Sequence, residues 1–483
     1  MLEQLKQINN MYDLLALCAS YVLNEYSSPT NIYEFATFNE DKFKCIYNAV
    51  EHYTYDCEDR GYRDAFNELK KDIMAFLEED LTLERVYAII YCIDELVEVE
   101  INDNFLGNRH IVKYSALNDQ YQDCVRIIPK KLNTFLNRGD IQFKSVTGSE
   151  HSLFREKRKC ACNDLDREME NYSIWDKKVI RRYPFTICRF DKKSHMTKYF
   201  RDRGKFSIGI VPFTDRQLTE ILDIRYNKRA FTIYNMYSEM EKELKYRYED
   251  ICRRSKQNNI DFLVFPEMLL TDNIIFDSQD HERTNPQIIV NGSISKNRVN
   301  KTIVTDGDRR GILTYCKKEP FTIEKDGVEY KEWLDPTKNK EYSVIEIEGM
   351  GRIGVAICKD LLSEDVKMFH KYIGTDILIA PAYTRSSDLL SAGQHMSMDY
   401  NCVVVIANAC SALEDGNLDK EVGFVTLPMK NKNRRCSKVI PYFRNKCAKE
   451  CSQQCVGKKI EIDFYNTEQD AEGISYQVRE TPF

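Results

Sequence analysis

Apolar residues recur every three to four positions through the first hundred residues, a period that predicts three amphipathic helices. Leu2, Leu5, Ile8, Leu14, Leu15 and Leu17 mark one over 2–24, Phe66, Leu69, Ile73 and Phe76 a second over 65–79, and Val86, Ile89, Ile90, Ile93 and Val97 a third over 83–99. Between about 101 and 200 the pattern is irregular, with a strand expected at 141–146 and a polar, basic loop at 150–164. From about 204 the texture changes to alternating strands and helices. Strands are expected at 206–211, 260–265, 288–290, 303–304, 312–315, 344–347, 353–357, 377–380 and 403–407. Ile233, Met236, Tyr237, Met240 and Leu244 read as a long amphipathic helix, and further helices fall around Val366, Phe369, His370 and Ile373 and across 387–400. Apolar strands alternating with helices predict sheets covered by helices. The expected organisation is a mainly helical domain over 1–200 followed by an α/β domain over 204–483.

A chain of 483 residues with 42% hydrophobic positions has material for two or three cores. Its 76 acidic and 70 basic groups leave a formal charge of -6, which gives no global field for nucleic acid or an anionic membrane. The N-terminus lacks a secretory pattern and no apolar run approaches the length of a membrane span, so a soluble cytoplasmic protein is expected. Seventeen cysteines mostly occur singly in apolar runs, as reduced buried thiols do.

Three short runs place a reactive side chain at or just beyond the end of a strand: Val264-Phe265-Pro266-Glu267, Tyr315-Cys316-Lys317-Lys318 and Gly354-Val355-Ala356-Ile357-Cys358-Lys359-Asp360. Proline stops the first strand and brings Glu267 to its mouth, where partial desolvation would raise a carboxyl into the range of a general base. Taken alone, Glu267 reads equally as a charge favoured by a helix N-terminus. Cys358 enters a turn before a helix expected near Ser363, whose N-terminus would favour thiolate and could hold an oxyanion. Alone it also reads as one more small apolar residue. Lys317 could stabilise a tetrahedral intermediate and keep the thiol ionised, although most lysines are simply solvated.

As an ordered set these runs resemble the carbon–nitrogen hydrolase, or nitrilase, superfamily over residues of about 204–430. Supporting matches are the strand 206–211, the glycine turn Asn291-Gly292-Ser293, the segment 374–382 and the buried strand 403–408. The resemblance implies an α-β-β-α sandwich, commonly paired into dimers or larger oligomers. It makes Glu267 the general base, Lys317 the oxyanion-stabilising cation and Cys358 the nucleophile acting on a small amide or nitrile. It also implies a second glutamate shortly after the lysine, for which Glu324 is nearest by spacing and Glu319 next. Lys318 stands as the alternative to Lys317. The chain departs from the family in having Glu319 two positions after the lysine, where histidine is common, and Lys359 after the cysteine, where an aromatic is frequent. Such chemistry needs no metal or organic cofactor.

Cys436, Cys447, Cys451 and Cys455 lie in a basic, Cys-rich extension over 430–460; the last three recur every four residues, as along one face of a helix. Structural zinc is one reading and free thiols the other. Lys430, Lys432, Arg434, Arg435, Lys438, Arg444, Lys446 and Lys449, with Tyr442 and Phe443 between them, read as a solvated face in an acidic chain rather than a nucleic-acid site. Cys160 and Cys162 are incidental. The helical domain offers a surface for a protein partner. Two other readings keep the fold, one as a catalytically silent scaffold and one as an acyl transferase.

Overall fold

The computed structural model describes residues 1–8, 11–25, 40–60, 62–96, 111–115, 126–129, 172–175, 185–190, 194–201, 203–276, 287–338, 341–413, 421–431, 434–443, 455–469 and 474–483. The expected strand at 141–146, the loop at 150–164 with Cys160 and Cys162, and Lys432, Arg444, Cys447 and Cys451 lie outside them. The chain divides into two compact units, Met1–Lys131 with Val146–Arg189, and Leu132–Ser145 with Phe190–Phe483.

In the first unit, helices α1 (Leu2–Leu5), α2 (Met11–Glu25), α3 (Glu40–Arg60), α4 (Tyr62–Glu79) and α5 (Leu83–Leu96) follow the apolar period. They bury Leu5, Leu14, Leu15, Phe66, Leu69, Ile73, Val86, Ile89 and Ile93. Helix α3 has no counterpart among the helices expected from the apolar period. Beyond residue 96 the described pieces of this unit are strands: β1 (Ile111–Ser115), β2 (Arg126–Pro129), β3 (Tyr172–Trp175) and β4 (Phe185–Phe190). These segments are rich in β-branched and aromatic residues, which suit a pleated, half-buried surface. β2 and β3 pair antiparallel, Ile127 opposite Ile174.

The second unit is α/β. After α6 (His195–Arg201) come β5 (Lys205–Ile210), α7 (Leu218–Ile221), β6 (Leu222–Asn227), β7 (Ala230–Met236), α8 (Ser238–Gln257), β8 (Phe262–Val264), α9 (Asp272–Phe276), β9 (Ile288–Lys296), β10 (Val299–Asp306), β11 (Gly311–Cys316), β12 (Thr322–Lys325) and β13 (Val328–Glu332). They are followed by β14 (Tyr342–Ile347), β15 (Gly351–Val355), a 3-10 turn (Cys358–Leu362), α10 (Glu364–Ile373), β16 (Ile377–Ala382), α11 (Asp388–Tyr400), β17 (Val403–Asn408), β18 (Glu421–Asn431), β19 (Arg434–Phe443), β20 (Lys458–Gln469) and β21 (Ile474–Pro482).

Two half-sheets result. One runs β14-β15-β16-β17-β18 with β19 beside β18, and the other β21-β20-β5-β8-β9-β10-β11; a single residue pair, Lys430 with Ile474, joins them. Each has a parallel centre, β15-β16-β17 in one and β5-β8-β9 in the other. Parallel neighbours need crossover connections, which α10 and α11 supply on one side and α8 on the other. Helix α10 stacks Phe369 on Tyr342 of β14, with ring centroids 4.3 Å apart, and ends at Gly374 in the left-handed conformation of a helix C-cap. Helix α8 buries Leu244, Tyr248, Ile251 and Cys252, and Tyr248 packs its ring 4.9 Å from that of Phe265.

Three expectations need correction. Ile233 and Met236 belong to β7, not to the following helix, which begins at Ser238. Their three-residue spacing fits the helical period alone, but antiparallel pairing with β6, with an irregularity between Ile233 and Asn235, makes the segment a strand. Asn291-Gly292-Ser293 is no turn: it lies inside β9 at a bulge opposite Thr302 and Ile303 of β10. Glycine is required there because a Cβ on Gly292 would collide with the carbonyl oxygen of Pro266. The extension after residue 420 contributes strands β18 to β21, and Cys455 sits in the non-helical segment before β20.

Candidate active site

Glu267 reaches the site because β8 is held on both sides by parallel neighbours and ends at a proline. The Phe265 N–H still donates to the Val290 carbonyl at 3.1 Å, and the Glu267 N–H donates to Ala382, at the end of β16 in the other half-sheet, at 3.2 Å. Met268 then takes a positive φ of 68°, with its N–H donating to Ser293 Oγ at 3.1 Å. Lys317 leaves β11 with its N–H donating to the Asn300 carbonyl at 2.7 Å.

The Lys317 ammonium lies 2.5 Å from Glu267 Oε1 and 3.0 Å from Glu332 Oε2. Asn300 Nδ2 donates to both carboxylates, to Glu267 Oε1 and to Glu332 Oε1, at 3.0 Å each. Glu332 further accepts from Ser295 Oγ at 3.3 Å and from the Phe321 N–H at 3.1 Å. Neither Glu267 nor Lys317 has any exposed surface. An ammonium has three donors, two of which go to the carboxylates, and the Phe321 ring centroid lies 5.5 Å from the nitrogen.

Cys358 follows β15, whose extension is anchored by the Ala356 N–H donating to the Ile379 carbonyl at 3.1 Å. The cysteine itself adopts a φ of 49°, a left-handed conformation that costs a non-glycine residue of order 1 kcal/mol and is a common mark of functional turns. Its sulfur lies 3.9 Å from the Tyr383 carbonyl, and its side chain and that of Glu267 act on each other. Glu267 Oε2 has no conventional N–H or O–H donor, so this oxygen is open to the thiol proton.

Asp360, two residues on, ties these pieces together. Its Oδ1 accepts from the Lys318 and Glu319 N–H groups at 3.0 and 2.7 Å, and its Oδ2 from the Tyr315 hydroxyl at 2.9 Å and the Ile357 N–H at 3.2 Å. One carboxylate therefore clamps the chain on both sides of Lys317 and the residue before Cys358.

Burial pushes the Cys358 thiol well above its ordinary value, and the Glu267 charge adds to this against the pull of Lys317. Both influences favour the protonated thiol over the thiolate. The turn and the helix expected near Ser363 are both present, α10 starting at Glu364 with Ser363 as its N-cap, but burial rather than the helix N-terminus is the largest influence on the thiol. Burial also raises Glu267, although Lys317 opposes the shift. Burial pulls Lys317 down, but Glu267 and Glu332 outweigh it and hold the ammonium above its ordinary value. A carboxylate beside a neutral thiol, with a fixed cation between two acids, is equipped for proton transfer from sulfur and for stabilising an oxyanion.

The structure thus brings Glu267, Lys317 and Cys358 together and leaves Glu324 apart. Glu324 is exposed on β12, paired across the hairpin with Glu329, and the glutamate beside Lys317 is Glu332. Counting along the chain fails because β12 and β13 form a hairpin, which returns the chain so that Glu332 lies beside Phe321. The signal was present: Asp326-Gly327 is a hairpin turn, and alternation puts Val328, Tyr330 and Glu332 on one face. Glu319 offers Asp360 its backbone N–H, and Lys318 directs its ammonium to the Glu341 carbonyl at 2.8 Å.

A cavity of about 640 Å³ opens onto Cys358. Among the described residues no group of three or more His, Cys, Asp or Glu could hold a metal. Cys436 Sγ contacts the Met429 carbonyl at 3.5 Å, and Cys455 is buried. Of the basic tail, Lys438 donates to Ser475 Oγ at 3.3 Å and Tyr442 to the Val456 carbonyl at 2.7 Å. No described helix is long and apolar enough to cross a membrane.

The chain matches no protein-family model and no curated protein. Among solved structures, it is similar to the NitFhit protein of C. elegans, at 15% identity over 50% of this chain and 61% of that one, with a TM-score of 0.33. It thus spans about three-fifths of that protein. It is also similar to Nit3 of Saccharomyces cerevisiae, a member of branch 10 of the nitrilase superfamily, at 14% identity over 57% and 89% of the two chains, TM-score 0.30. A third is an amidase from Nesterenkonia sp., at 12% identity over 51% and 95%, TM-score 0.32. Nitrilase-superfamily members are therefore among the structural neighbours of this chain.

Proposed function

We propose that the second unit is a cysteine-dependent hydrolase of non-peptide carbon–nitrogen bonds, with an α-β-β-α arrangement of its sheets and helices. The observation that carries this reading is a fully buried Glu267–Lys317 ion pair whose charges act on the Cys358 side chain, which lies at the wall of a cavity.

Glu267 removes the Cys358 proton as sulfur adds to the carbonyl carbon of an amide, forming a C–S bond and an oxyanion. The uncommitted N–H of Lys317 meets that charge. Collapse of the intermediate breaks the C–N bond, and the nitrogen takes the proton from Glu267 and leaves as amine or ammonia. Water then gives a proton to Glu267 while its oxygen attacks the thioester; the acid departs and the proton returns to sulfur. Glu332 touches no reacting atom in this scheme; it holds Lys317 in place. A nitrile enters by the same first addition, through a thioimidate.

The test is release of ammonia or amine from a panel of amides and nitriles by the intact protein and by Cys358→Ala. Turnover by the parent and none by the folded variant supports the reading. Equal turnover by both, or none by the parent across the panel, sinks it.

A further inference from the structure

Resting on the hydrolase reading, the cavity narrows the class of substrate. Its lining is graded by depth. The most buried of its side chains are Cys358, Leu218, Leu389 and Tyr383; Tyr226, Phe321 and Ile323 are half-buried; Glu324, Lys359, Arg385 and Asp388 are exposed. The reactive sulfur therefore shares the inner part with aliphatic and aromatic groups, and charges of both signs stand at the rim.

Size points the same way. At roughly 30 Å³ per water, about 640 Å³ corresponds to about twenty waters, within the range of sites that take ligands of many atoms. A four-atom amide would leave most of this volume wet against apolar walls. The wall is also braced. Tyr226 of β6 and Ile323 of β12 belong to a separate four-stranded sheet ordered β12-β13-β7-β6, whose strand β13 also carries Glu332. Tyr226 packs edge-on against Tyr330 at 4.7 Å and lies under the Lys325 ammonium at 4.5 Å. The sheet that holds the cation of the site thus presents the apolar wall.

We infer that the site selects amides or nitriles carrying an extended alkyl or aryl group, which lies against Tyr226, Phe321 and Ile323 and directs its far end to the mixed-charge rim. Each buried methylene contributes about 0.8 kcal/mol, about fourfold in affinity.

The test compares alkylation of the intact protein by iodoacetamide and by N-hexyl-iodoacetamide, with each cysteine followed by mass spectrometry. In both reagents the cysteine sulfur displaces iodide, forms a thioether and gives up its proton. Exposed Cys45 supplies the internal reference for intrinsic reagent reactivity. The expected result is a hexyl preference at Cys358 at least about tenfold above that at Cys45, reduced severalfold by Ile323→Ser and by Tyr226→Ala. Equal preferences at the two cysteines, a Cys358 that neither reagent reaches, or a preference indifferent to both substitutions overturns the inference. A hexyl preference without turnover on any amide or nitrile refutes the hydrolase reading and leaves the cavity assignment standing. Turnover fastest on acetamide does the reverse.

Discussion

Among the described residues of the helical unit, the buried side chains are almost all apolar, from Leu14 and Leu15 to Ile89 and Ile93, with Asp94 and Arg189 the charged ones. In the α/β unit, Glu267, Lys317, Glu346 and Asp360 have no exposed surface, and Glu332, Arg352 and Asp376 have almost none. The difference matters because an apolar core stabilises its unit without needing any one partner, whereas a buried charge is tolerated only with its counter-charge and hydrogen bonds in place. Some of these charges have structural work: Arg352 donates to the Ile373 carbonyl at 2.7 Å, and its backbone N–H donates to Asp376 at 2.8 Å. The Glu267, Lys317 and Glu332 group differs in standing beside a thiol and a cavity.

The largest effect separating the two units is expected at Cys358. Cys358→Ala removes the proposed nucleophile and should lower amide turnover by at least about 10⁴-fold with the fold intact. Ile93→Val, in the helical core, should leave the rate constants of the folded protein unchanged. Steady-state kinetics on the best amide of the panel checks both. A Cys358→Ala protein with more than a tenth of the parental rate would break the comparison at its centre.

Next comes the charge cluster itself. Lys317→Met leaves two carboxylates facing each other without their cation, and should destabilise the α/β unit by about 3–5 kcal/mol. Ile93→Val should cost the helical unit about 1 kcal/mol. The chain's two tryptophans, Trp175 and Trp333, fall one in each unit. Urea unfolding followed by fluorescence in a Trp175→Phe background therefore reports the α/β unit. A loss below about 1 kcal/mol for Lys317→Met would mean that the pair is not buried as a unit.

Asp360 gives a pH test. Burial pushes its carboxyl up to about 6 from an ordinary 3.8. Between those values the folded protein holds a proton that the unfolded chain has lost. The group's contribution is thus fully present below pH of about 4 and lost as pH rises through about 6, a change of about 3 kcal/mol. Asp360→Asn cannot titrate. The stability difference between parent and variant should shift in the variant's favour by that order from pH 4 to pH 7, in the same fluorescence assay. A constant difference would show that the four donors around Asp360, rather than burial, set its charge.

How far the sequence discloses this site depends on the kind of signal each residue leaves. Glu267 and Cys358 are legible because a buried strand ending at a proline, and one running into Cys-Lys-Asp, leave local marks. Long amphipathic helices such as α4 and α5 are legible for the same reason. Glu332 is not, because its place beside Lys317 comes from hairpin pairing, a relation between residues distant along the chain. Gly292 looks like a turn because glycine signals both turns and close approach, and only the neighbouring Pro266 carbonyl decides between them. The strands after residue 420 are hidden because basic residues such as Lys430, Arg434, Arg435 and Lys438 break up the apolar alternation along the sequence.

The smallest expected effect distinguishes the two glutamates. Glu324 is exposed on β12 and makes no contact with Lys317, so Glu324→Gln should change kcat by less than about twofold and stability by less than about 0.5 kcal/mol. Glu332→Gln keeps an oxygen for one donor but loses the charge that holds the Lys317 ammonium, and should lower kcat much more than it changes KM. Glu324 also stands at the cavity rim, so an effect confined to KM for the longer amides would fit a contact with the far end of the substrate. A large fall in kcat from Glu324→Gln, with Glu332→Gln near parental, would mean that β12 and β13 pair in a different register during turnover.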